Sequence, residues 1–169
     1  QPLTGEHDEM LFIIVHQASE LWMKLMRHEL EGVLECVRRD NLDPSFKMLG
    51  RISRVQVQLL NVWEVLSTMT PADYSAFRNA LGRSSGFQSV QYRLIEFALG
   101  NKHAEMIAVH RRDPQHYAAL ERALLAPSLY DEVLRLLSRR GYGIPQELLV
   151  RDFSQAYEPS KQVTGAWLG

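Results

Sequence analysis

The 169-residue chain has a single cysteine, no excess of either charge and no long apolar run, and each shortage removes a class of protein. Cys36 cannot pair within the chain, and its setting in Leu-Glu-Cys-Val reads as a small buried hydrophobe in a reducing compartment. Nineteen Lys and Arg against twenty Asp and Glu leave a formal charge of -1, which excludes the strong field that gathers nucleic acid or an anionic membrane. The most apolar stretch, Met10 to Val15, is broken by His16 and Gln17, far short of the roughly eighteen apolar residues that cross a bilayer. The start has no charged-then-apolar leader, so the sequence reads as cytoplasmic. There is no HExxH, no glycine-rich phosphate loop, no CxxC and no Gly-x-Ser-x-Gly elbow, which leaves hydrolase, kinase and zinc-enzyme readings without support.

What is present is an ordinary globular composition, 46% hydrophobic and 23% charged, enough for one compact domain over residues 1–169. Both ends read as cut, because the chain begins at Gln1 and stops as Ala166-Trp167-Leu168 opens an apolar pattern. From about Glu6 to Arg39 apolar residues recur at three- and four-residue steps through Leu11, Ile14, Val15, Leu21, Leu25, Leu30, Val33 and Val37, which predicts one long amphipathic helix. Asp43-Pro44 restarts the pattern through Ile52, Val55, Leu59 and Leu66, a second long helix antiparallel to the first across a short turn. Thr70-Pro71 opens a shorter helix to Leu81, and Ser85 with Gln88 three residues on has the spacing of a capping box for the next, which Gly100-Asn101 ends. Further short helices are expected at about 102–110, 114–125, 127–139 and 145–151. No segment alternates with period two for long enough to make a strand. The expected fold is all-α, a bundle of long antiparallel helices with additional short ones, long enough to suggest a homo-oligomer.

Chemistry has three candidate locations. Phe12 and His16 are four apart and share the apolar face of the first helix. The histidine reads either as a core residue bonded to a backbone carbonyl or as a neutral pocket imidazole that accepts a ligand N–H. Tyr74 and Arg78, again four apart, offer a phenol and a planar fork of N–H donors, which suits a carboxylate; the alternative is an exposed arginine beside a half-buried tyrosine. Ser84-Ser85-Gly86 offers free backbone N–H groups, two hydroxyls and a glycine that permits close approach, or simple helix capping. Trp63, Phe87, Tyr92 and Phe97 supply aromatic surface, for the core or for a flat cofactor. Arg83, Arg93, Arg111 and Arg112 read as solvated. His7-Asp-Glu9 and His103-Ala-Glu105 are discounted as metal ligands, since residues two apart on a helix face different ways.

The strings HDEMLFIIVHQASELWMK, MTPADYSAFR and SSGFQSVQYRLIEFALGNK closely resemble the tryptophan 2,3-dioxygenase family, densely from about Glu6 to Lys102 and more thinly beyond. The resemblance implies a haem b enzyme that inserts both atoms of O2 across the indole C2=C3 bond of L-tryptophan to give N-formylkynurenine, opening the kynurenine pathway, and it implies a homotetramer. Under it His16 matches the distal histidine that bonds the indole N–H, and Phe12 the ring against the indole. Tyr74 and Arg78 match the carboxylate-binding pair. Ser85 and Gly86 match the loop at the haem edge and bound oxygen, while Trp63 and Leu81 match residues that line the haem pocket. None of His7, His28, His103, His110 or His116 matches the proximal iron ligand, which is expected beyond Gly169. Two other readings stay open: a non-catalytic helical oligomerisation module, and a related haem dioxygenase for another indole.

Overall fold

In a computed structural model, which describes residues 1–82 and 88–168, the protein is all-α. Among the described residues there is no strand, and eight α-helices follow one another: α1 His7–Arg38, α2 Asp43–Leu66, α3 Pro71–Arg78, α4 Val90–Leu99, α5 Pro114–Leu125, α6 Leu129–Arg139, α7 Gln146–Leu149 and α8 Lys161–Leu168. The two long helices thus lie within a residue or so of the bounds expected from periodicity. No helix among the described residues is long and apolar enough to cross a membrane.

Most of the helices start for a local reason. Asp8 and Glu9 put negative charge in the first turn of α1, where the helix dipole favours it. Pro44 and Pro71 occupy first-turn positions at which a missing N–H costs nothing. Thr70 with Asp73, and Ser128 with Asp131, form reciprocal capping boxes at α3 and α6. Asp113 accepts from the Gln115 and His116 amides at α5. At the far end of α4, Gly100 adopts φ 100 and Asn101 N–H returns to the Glu96 carbonyl at 2.9 Å, a closure that a Cβ would strain.

The α1–α2 hairpin forms one wall. A Cβ on Gly32 would come within 2.7 Å of Met48 Sδ, so glycine at that position leaves room for the Met48 side chain against α1. The largest core unites Met23, Met26, Leu30, Val33 and Val37 of α1 with Ile52 and Val55 of α2, Ile95 of α4 and Leu136 of α6. Each fully buried side chain of this size contributes about 1.5–3 kcal/mol of transfer free energy. A second core joins Phe97 to Ile107, Leu120 and Leu124, and a third joins Leu134, Ile144 and Val163.

Five expectations change. The α-helix expected to begin near Ser85 begins at Val90 instead, with Ser89 as the cap that accepts from the Tyr92 amide at 3.1 Å; the Ser85 end of the expected capping box lies outside the described residues. The stretch read as a helix at 102–110 is a 3-10 segment, Ala104–His110, and α7 is a single turn. Cys36 is half-buried rather than buried. Arg93, read as solvated, is 5% exposed, because α4 is covered on that side and the guanidinium pairs internally with Glu96.

Candidate functional site

The N-terminal third of α1 carries Phe12 and His16 on one side, both half-buried, with ring centroids 4.0 Å apart and tilted by 36°. His16 Nδ1 lies 2.7 Å from the Phe12 carbonyl oxygen. A carbonyl can only accept, so Nδ1 carries the hydrogen, and in the neutral ring Nε2 is left with its lone pair as an acceptor. The core alternative raised for this residue is seen, since the ring is tied to a backbone carbonyl through Nδ1; among the described residues no hydrogen bond to Nε2 is formed.

α3 packs against the same face. Tyr74 lies 5.7 Å from Phe12 and Phe77 lies 5.6 Å from it, while Tyr74 and Phe77 meet edge to face at 86°. Phe77 is wholly buried and anchors the cluster. Its position three residues after Tyr74 was the signal that could have drawn attention to it. The fold thus brings Phe12, His16 and Tyr74 together around one aromatic cluster. Arg78, half-buried at the end of α3, donates from Nη1 to the Gly82 carbonyl at 2.7 Å, folding back over the turn that closes the helix.

An open groove of about 460 Å³ runs beside His16, lined by His16, Gln17, Glu20, Leu21, Lys24 and Gln91. Tyr74 and Arg78 do not line it. Gln91, which sequence reasoning passed over, reaches from the first turn of α4 to α1. Its side-chain nitrogen donates to the Glu20 carbonyl at 2.8 Å and to Glu20 Oε2 at 2.7 Å. Trp63, near the end of α2, is 66% exposed, and Leu81 sits half-buried in the 3-10 turn Asn79–Leu81. Ser85, Gly86 and Phe87 lie outside the described residues.

Elsewhere, the Glu9 carboxylate is buried and accepts from the Leu3 and Thr4 amides, both at 2.7 Å, bonds that hold its pKa below the usual carboxylate range. That ties the leading segment to α1. His103 and Glu105 come within 3.6 Å, but among the described residues no group of three or more His, Cys, Asp or Glu is placed to hold a metal ion.

The described residues thus form an all-α scaffold that sets an imidazole beside an aromatic cluster. The sequence profile of the tryptophan 2,3-dioxygenase family matches residues 3–127, and the chain belongs to that family. It is 57% identical over 166 residues to the tryptophan 2,3-dioxygenase of Erythrobacter litoralis, covering 98% of this chain and 63% of that protein. It is similarly 54% identical to the Geobacillus thermodenitrificans enzyme, with 99% and 60% covered, and 56% identical to that of Burkholderia cenocepacia, with 99% and 54% covered. The chain thus spans about three-fifths of the length of these relatives.

Proposed function

We propose that the full-length protein is a haem-dependent dioxygenase that inserts O2 across the indole C2=C3 bond of L-tryptophan, giving N-formylkynurenine at the head of the kynurenine pathway. The observation that carries this reading is the hydrogen bond between His16 Nδ1 and the Phe12 carbonyl. With Nδ1–H committed to the Phe12 carbonyl, Nε2 is directed by chemistry, if not by any ligand, to accept from an N–H such as that of indole. Phe12, tilted against His16, offers the indole a ring to pack on.

Tyr74 and Arg78 hold the amino-acid carboxylate in this reading. Arg78 would exchange the neutral Gly82 carbonyl for an anionic partner, which its planar fork of N–H donors can grip through both oxygens. Cofactor sites are lined mostly by apolar side chains. Ile14, Leu21 and Trp63 are exposed and supply apolar surface that none of the cores uses, and we assign Trp63, Leu81 and Ser85 to that cofactor's surroundings, with Ser85 and Gly86 also beside the substrate. Haem b, when bound, supplies the oxygen binding and activation. His16 is the one histidine among the residues that line the groove, and its Nδ1 is engaged, so the axial iron ligand is proposed to come from the part of the relatives that this chain does not match. A homotetramer in the cytoplasm completes the reading; the exposed Leu60, Trp63 and Val65 of α2 support an oligomer.

The test uses full-length, haem-loaded protein. Arg78→Ala should weaken tryptophan binding about ten- to a hundredfold, the usual cost of a lost hydrogen bond to a charged group, and leave the Soret band of the resting protein unchanged. Undiminished affinity would reject the carboxylate role. His16→Ala should lose the preference for L-tryptophan over its N-methylindole analogue; retained preference would remove the indole hydrogen bond.

A further inference from the structure

Gln91 sits on the first turn of α4 and spends its side-chain nitrogen on one residue 71 positions away, the carbonyl and the carboxylate of Glu20. The two amide hydrogens have therefore one acceptor each, and the contact is part-buried rather than a surface encounter. Glu20 lies four residues beyond His16 on α1, one turn along the same face, and His16, Glu20 and Gln91 border the same groove. A carboxylate one turn from an imidazole is within side-chain reach of it. If it closed on the ring it would favour the imidazolium, whose two nitrogens are both donors, and the acceptor needed for a substrate N–H would be gone.

We propose that Gln91 is a positioning residue for His16: by holding the Glu20 carboxylate and main chain, it keeps that carboxylate off the imidazole and so preserves a free acceptor nitrogen. This rests on the role given to His16 above. Among the described residues, two further ionisable groups lie near the ring. Lys24, one further turn along α1, borders the groove and competes for a released Glu20 carboxylate, while Tyr74 of α3 faces His16 across the Phe12 ring. Gln91 is the α4 residue on the groove and carries no charge of its own. Its near-isosteric replacement by methionine would remove both bonds and keep the bulk.

Full-length protein carrying Gln91→Met, Glu20→Gln or both is compared with wild type across the range in which histidine titrates, reading tryptophan affinity from the Soret change of the holoprotein and the His16 ring directly by NMR in the haem-free protein. In Gln91→Met the acid limb of tryptophan binding should move up by about one pH unit, a roughly tenfold loss on the acid side with no loss on the alkaline side, and the ring titration should move with it. Removing the carboxylate as well, in Gln91→Met/Glu20→Gln, should return both to their wild-type positions. A limb and ring titration that stay in place, or a shift that the second substitution leaves uncorrected, would overturn the proposal. His16→Ala separates the two layers: if it keeps the preference for an indole N–H, the reading of His16 itself fails, whereas loss of that preference beside an unmoved limb in Gln91→Met removes the role of Gln91 alone.

Discussion

Helix α2 and the α4–α6 layer treat their surfaces in opposite ways. Across 24 residues α2 buries Ser45, Ile52 and Val55, and it leaves Phe46, Leu49, Val57, Leu60, Trp63 and Val65 exposed. The α4–α6 layer instead buries charge and satisfies it. Asp131, 1% exposed, caps α6 through Ser128 and receives Arg151 at 2.9 Å, while Glu132 accepts from Arg38 at 3.0 Å. Lys102, 5% exposed, donates to the carbonyls of Ala123, Leu124 and Ala126 at the end of α5, neutralising the negative end of that helix. One region holds itself together; the other presents apolar surface of the kind that another surface covers.

That contrast can be broken or sharpened by experiment. The largest effect is expected at Asp131. Asp131→Ala removes a cap and leaves the Arg151 guanidinium, 14% exposed, without its anion, so stability should fall by about 3 kcal/mol in chemical denaturation. A loss below about 1 kcal/mol would mean that the layer is not held by its buried charges. Lys102 should show a smaller, pH-dependent effect. Burial pushes its pKa down to about 8, from 10.5 for a free lysine. Between those values the unfolded chain keeps the proton and the native protein has shed it, so stability relative to Lys102→Met should rise as pH climbs from about 8 towards 10.5 and be flat below 8. Urea midpoints across that window test the sign; a falling difference would contradict it. The smallest effect belongs to α2. Leu60→Ser, on a residue 67% exposed, should change the stability of this chain by no more than about 0.5 kcal/mol, yet it should weaken self-association of the full-length protein in sedimentation. Unchanged association would show that Leu60 faces solvent for its own sake.

Much of this was open to reading along the chain. The bounds of α1, α2 and α5 follow from apolar periodicity and from Asp-Pro starts, and the Phe12–His16 pairing follows from a four-residue step. The meeting of Phe12 with Tyr74 and Phe77 did not, because it depends on α3 folding back over α1. Nor did the burial of Arg93, an ordinary surface arginine by spacing, which the covering of α4 turns into an internal partner of Glu96. The Gln91–Glu20 contact left no trace in the sequence, since two polar residues 71 apart carry no period.

The order and lengths of the main helices, their caps and the faces on which Phe12, His16, Tyr74 and Arg78 stand were determined by the sequence alone, because backbone hydrogen bonds and capping act within about four residues. Which faces are covered and which carboxylate is held by which amide were decided in the tertiary structure. Burial depends on what distant segments bring, and a rotamer fixes its hydrogen bond only once its surroundings are packed.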